Sequence, residues 1–137
     1  MAVKNFTTYN VDASVGRYGA NRTIDVMLVQ YMLSRISKSQ GLPLPPPKTP
    51  IVPDGKPGPV LDEWIFWFQK AVKQVGNPVV VDGRIDPMPV DPYSSSHTMM
   101  HLNSTFRKRF RPEHDALESD PMAPEPVRAK FRSDEAF

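Results

Sequence analysis

Two stretches of this chain carry apolar residues at helical spacing. In TIDVMLVQYMLSRISK, residues 23–38, Val26, Val29, Leu33 and Ile36 share one face at about 100° per residue, with Gln30 among them. In VLDEWIFWFQKAVKQV, residues 60–75, Leu61, Ile65, Phe68, Val72 and Val75 do the same. Both read as helices. Asn21 or Thr23 is placed to cap the first, Asp25 suits its positive end, and Gly41 is placed to stop it. Asp62 and Glu63 fall in the first turn of the second helix, and Gly76 follows its end. A third helix or helical turn is expected over residues 96–110, and FTTYNV, residues 6–11, reads as a short strand.

Both helices have apolar residues left over. The first carries Ile24, Leu28 and Tyr31 on a stripe roughly opposite the core stripe. The second carries Trp64 and Trp67 beside its core stripe and Phe66 on the far side. A helix that is apolar all round is buried all round, and a small three-helix domain cannot cover both faces of two helices. Either the terminal segments cover these stripes or a partner does. Contiguous exposed aromatics seldom stay uncovered, so the expectation is a partner-binding surface of Trp64, Trp67, Phe66, Ile24, Leu28 and Tyr31.

Composition divides the chain. Its 16 prolines among 137 residues are about twice the usual share. They crowd between residues 43 and 59 and again after residue 111. The expected organisation is an N-terminal arm over 1–13, one domain over 14–110 with a Pro-rich insertion at 42–53, and an extended charged tail over 111–137. Such a tail does not fold alone and orders by docking on another chain. The absence of Cys excludes a disulfide framework and a thiolate metal site. A net charge of +2 is too small to imply nucleic acid. The start has no apolar signal-peptide core, and no run approaches membrane-spanning length. The expectation is a protein made soluble in the cytoplasm, able to enter a virion or a secreted particle.

DGKPGP, residues 54–59, and DGRIDP, residues 82–87, are tight turns, since Gly tolerates positive φ and Asp bonds its own backbone. With a helical pattern between them they form a degenerate repeat. SVGRYGANRTIDVMLVQYML, VPDGKPGPVLDEWIFWFQ and VVDGRIDP followed by HTMMHLN together resemble the peptidoglycan-binding-like domain family, over about residues 14–104. Asp25, Val26, Gln30 and Leu33 match its first element. Asp54, Gly55, Gly58, Pro59, Ile65, Phe68 and Gln69 match the second, and Asp82, Gly83, Leu102 and Asn103 the third. The resemblance implies a mainly α, three-helix fold in which each Asp-Gly turn introduces a helix. Asp54, Gly55, Gly58, Asp82 and Gly83 are then structural turns, not a catalytic pair. Leu61 stands where the family usually has Thr, the linker at 42–53 is longer than usual, and residues 87–96 are an insertion.

Candidate chemistry is sparse. His97 and His101 have metal spacing on a helix, but Thr98 stands where a zincin needs Glu, and no third ligand is evident. No catalytic residue, metal or cofactor is expected. Pro43-x-x-Pro46 and Pro47-x-x-Pro50 fit a ligand for an aromatic groove. FRKRFRP, residues 106–112, gathers Arg107, Lys108, Arg109 and Arg111 around two phenylalanines. Its plain reading is a solvated helix end. Its functional reading is a patch for an acidic protein or an anionic wall polymer, with nucleic acid behind both. The expected function is a non-catalytic binding or structural module, a subunit or adaptor of a larger assembly such as a phage tail or a contractile secretion particle. The alternative is a peptidoglycan-binding module that targets a separate lytic enzyme.

Overall fold

The computed structural model describes residues 8–89 and 97–135, with side chains through Arg132. Along the chain run β1 (Val15–Gly16), α1 (Thr23–Ser37), α2 (Pro59–Gln74), β2 (Arg84–Ile85), α3 (Thr98–Arg109), α4 (Arg111–Asp115), a 3-10 turn (Leu117–Ser119) and α5 (Glu125–Glu135). The protein is mainly helical. The two short strands among the described residues pair antiparallel, Val15 with Ile85 and Gly16 with Arg84. Of FTTYNV, residues 6 and 7 lie outside the described residues, and 8–11 form no strand. Residues 90–96 of the expected insertion also lie outside them. No helix among the described residues is long and apolar enough to cross a membrane.

The core stripes fall where periodicity places them. Val26, Val29, Gln30, Leu33, Ile36, Leu61, Ile65, Phe68 and Val72 are all buried. Val75 is not; it is 59% exposed just past the end of α2. The expected caps of α1 also differ. Arg22 precedes the helix without a side-chain cap. The Asn21 side chain turns back instead, accepting from the Gly16 N–H and donating to the Gly16 and Gly19 carbonyls. The helix ends at Ser37, before Gly41 is reached. Asp25 is buried and accepts the N–H groups of Asp12 and Ala13, each at 3.0 Å, so it ties the N-terminal segment to α1.

The Asp-Gly repeat is a duplicated clamp. Gln30 of α1 accepts the Gly55 N–H at 2.8 Å and donates to Asp54 Oδ1 at 3.1 Å and to the Lys56 carbonyl at 3.0 Å. Gln69 of α2 accepts the Gly83 N–H at 2.8 Å and donates to Asp82 Oδ1 at 3.1 Å and to the Arg84 carbonyl at 2.9 Å. Inside each turn the Asp carboxylate also accepts the N–H two residues on. Gly83 has φ +74, and an added Cβ would lie 2.5 Å from the Phe66 ring, so both backbone and packing demand glycine there. Gly58 immediately precedes α2.

The leftover stripes are covered by this chain's own segments, which corrects the expected partner surface. Trp64 and Trp67 are 3% and 7% exposed. The Pro-rich segment lies across them as a strap. Trp64 Nε1–H donates to the Thr49 carbonyl at 2.8 Å and Trp67 Nε1–H to the Leu44 carbonyl at 3.2 Å. Polyproline-like chain has no internal hydrogen bonds, so its carbonyls are free for donors such as indole N–H. The proline spacing read as a ligand motif is therefore engaged within the molecule. Leu28 and Tyr31 are 1% and 2% exposed. Of the six residues, Ile24 remains 37% exposed and Phe66 half-buried.

Leu28 and Tyr31 belong to the α1 face that meets the C-terminal region, where α5 packs on α1. That region is folded rather than extended, a second correction. Leu117, Val127 and His114 are fully buried and Phe131 is 7% exposed. The Tyr31 hydroxyl donates to the Asp120 carboxylate, and burial with that neighbour pushes its pKa far up. Residues 8–11 close the other side. The Tyr9 backbone exchanges two 2.7 Å bonds with the Asn103 amide, and its ring meets Phe131 edge-on at 4.7 Å.

This junction makes stability pH-dependent. Burial pushes the His114 imidazole below its ordinary 6.5, against the pull of the Asp115 carboxylate 3.0 Å away. The unfolded chain therefore takes up the proton first, and stability drains as pH falls through 6.5 toward the lower folded value. Asp115 and Asp54 are held below 3.8, chiefly by His114 and by the Lys56 N–H respectively. Their contribution is whole above that value and lost as pH falls through the folded pKa. The urea midpoint is expected to drop between about pH 7 and about pH 5, and to drop less in His114→Gln. Equal slopes for the two proteins would contradict this assignment.

Candidate functional site

A trough of about 390 Å³ runs between α2 and α3. Its α2 wall is apolar: Phe68, Ala71, Val72 and the exposed Val75 follow one another at helical spacing. Its α3 wall is polar: His101, Ser104, Thr105 and Lys108 form one helical stripe. Ile36 of α1 closes the inner end, and Gly41, Leu42 and Pro43 form a rim where the strap begins. From Phe68 to Val75 the trough runs roughly 10 Å, at about 1.5 Å per helical residue. That is about three residues of extended chain at ~3.3 Å each.

Charge in the trough has one sign. Lys108 and Arg109 line it, and no carboxylate does among the described residues. Arg109 is fixed by its own chain, donating from Nη1 to Ser39 Oγ at 3.1 Å and to the Gln40 carbonyl, so it locks the turn after α1 against α3. His101 Nε2 lies 3.3 Å from the Pro78 carbonyl oxygen. Lys108 is exposed on the polar wall.

The four cations of FRKRFRP do not make one anionic-partner patch. Asp115 engages Arg107 at 3.2 Å and Arg111 at 3.6 Å, and Arg109 holds the Ser39–Gln40 turn. Successive helical positions point about 100° apart, and the helix ends at Arg109, before Arg111, so neighbours in sequence part in space. Asp54 and Asp82 each serve their own clamp. Thr98 is buried and accepts from Gln69 at 3.0 Å, and no group of three His, Asp or Glu among the described residues is placed to hold a metal ion.

The trough was the part that sequence reading missed. Its signals were Val75, placed on a core stripe that outruns the core, and a third helix with polar residues on one face and no acid among them. No known protein family, curated protein or solved structure gives a match to this chain.

Proposed function

We propose that this chain is a non-catalytic binding module, a subunit or adaptor of a larger assembly, that holds a short acidic, amphipathic segment of a partner protein in the trough between α2 and α3. The observation that carries this is the pairing of an apolar wall with a polar wall whose charged residues are all basic. Apolar side chains of the segment lie on Ala71, Val72 and Val75, and a carboxylate meets Lys108. The non-catalytic reading draws support from the turn aspartates, whose carboxylates are spent on backbone N–H groups and glutamine amides.

A second reading is a peptidoglycan-binding module. The duplicated Gln and Asp-Gly clamp favours it, because Gln30, Gln69 and both turns are among the residues that carry the family resemblance. One experiment separates the two. Full-length protein is titrated with an acetylated Leu-Glu-Leu-Glu peptide and, separately, with soluble muropeptides, reading the fluorescence of Trp67 at the trough edge. The peptide is expected to bind saturably and more weakly in salt, and Val75→Glu or Lys108→Glu is expected to weaken it at least about tenfold. Muropeptide binding with no response to the peptide establishes the second reading instead. Silence toward both removes the trough as a binding site.

A further inference from the structure

The outward side of α2 carries a stripe that neither the core nor the trough uses. Asp62, Phe66 and Lys70 stand four residues apart on one helix face. At about 100° per residue Phe66 and the trough residue Val75 point half a turn apart. Phe66 is half-buried, with the Arg17 guanidinium 5.7 Å and the Lys70 ammonium 5.8 Å from its ring centre. Arg17 also lies 5.2 Å from the ring of Tyr18, which is 85% exposed. That exposure is built in. Tyr18 sits at φ +56, rare for a bulky residue, in a turn held by the Asn21 side chain and by Arg84 donating to the Tyr18 carbonyl.

The order along this stripe is acid, aromatic, base, with equal spacing on either side of Phe66. Neither Asp62 nor Lys70 forms a direct ion pair among the described residues; Arg17 acts on the Asp62 carboxylate only from farther off, and Lys70 faces the Phe66 ring. Laid antiparallel, two such stripes set Asp62 of each copy against Lys70 of the other and Phe66 against Phe66. A two-fold interface needs a patch that complements itself, and this one does. Its alternating signs, with Glu63 beside Asp62, repel a continuous polyanion. We infer that the chain forms a two-fold dimer through antiparallel α2 stripes, with Phe66 on the axis and the Tyr18 turns flanking it. One helix face and one turn make a small interface, under about 1,200 Å² in total, so the dimer is weak and concentration-dependent.

This dimer is independent of the trough, which faces away from it. Sedimentation equilibrium on the full chain, from micromolar to millimolar concentration, is expected to show mass rising from monomer toward twice that value. Asp62→Lys and Lys70→Asp each set like charges opposite one another twice, and each is expected to raise the dimer dissociation constant at least about tenfold. The double variant Asp62→Lys, Lys70→Asp restores complementarity and is expected to recover the wild-type constant. Lys70 is exposed, so Lys70→Asp should melt with the wild type, whereas Asp62 stands in the first turn of α2 and Asp62→Lys is expected to melt somewhat lower through the helix dipole while staying folded at the temperature of sedimentation. A wild-type chain that stays monomeric overturns the inference. So does a dimer indifferent to either single reversal, or a double variant that fails to recover. Trp67 borders both the trough and the stripe, so the peptide titration is run at micromolar protein, below the dimer dissociation constant, where its fluorescence reports the trough alone.

Discussion

Gln69→Leu is expected to lower the free energy of unfolding by about 3–5 kcal/mol, a large share of the ~5–15 kcal/mol that holds a domain together. The side chain is fully buried. Its oxygen accepts N–H groups from Asp82 at 3.1 Å and Gly83 at 2.8 Å, and its nitrogen serves Asp82 Oδ1, the Arg84 carbonyl and Thr98 Oγ1. Leucine fills nearly the same volume, so little of the loss is cavity. What remains is a set of orphaned polar groups, each costing about 1–3 kcal/mol where water cannot replace the amide. Gln30→Leu is expected to cost less, because its clamp makes fewer bonds and Asp54 and Lys56 are exposed. Asp82→Asn should be mild, since its amide oxygen can still accept the Arg84 N–H. Urea denaturation at neutral pH measures all three. A Gln69→Leu loss under about 1 kcal/mol would show that the clamp is not a principal support of the fold.

Phe106→Ala is expected to cost a similar ~3–5 kcal/mol, for a different reason. Phe106 is fully buried where α3 meets the C-terminal region. Its ring stands edge-on to Tyr31 at 5.9 Å and to His114 at 5.9 Å, and 5.8 Å from Phe110. Truncation leaves a cavity lined by residues of α1, α3 and α4. Thermal melting is expected to report the global loss, and limited proteolysis is expected to cut faster between residues 117 and 135. A lowered melting temperature with unchanged cleavage there would mean that the C-terminal region docks without Phe106.

Periodicity revealed which helix faces are buried but not what buries them. The stripes of Trp64 and Trp67, and of Leu28 and Tyr31, were legible as surfaces needing cover. The terminal segments were one of the two covers expected, and the C-terminal region does cover Leu28 and Tyr31; the Pro-rich strap over the tryptophans was not foreseen, because it has no helical repeat to stand out. The strap works through backbone carbonyls at Leu44 and Thr49, which side-chain patterns do not record. The C-terminal region contributes Leu117, Val127 and Phe131, with only the last two at helical spacing, and prolines between the elements hide the remainder. The turns were legible as turns, although the second leads into β2 and not directly into a helix as expected, and Gln30 was placed on the core stripe by its phase. Its reach to a turn 25 residues ahead follows from the fold. The trough is a relation between two helices, so it became visible only once α2 and α3 stood side by side.

The clamps join residues 14 and 25 apart, whereas Tyr9 bonds partners 94 and 105 residues away and Tyr31 one 89 away. Closing a loop costs more entropy the longer it is, and distant contacts slow folding. The helices and their clamps are therefore expected to gain hydrogen-exchange protection during refolding ahead of the belt that joins Tyr9 and Tyr31 to the C-terminal region. Until that belt closes, Leu28 and Tyr31 stand bare. Any aggregation during refolding is thus expected to start on α1, at Leu28 and Tyr31, which the finished molecule hides.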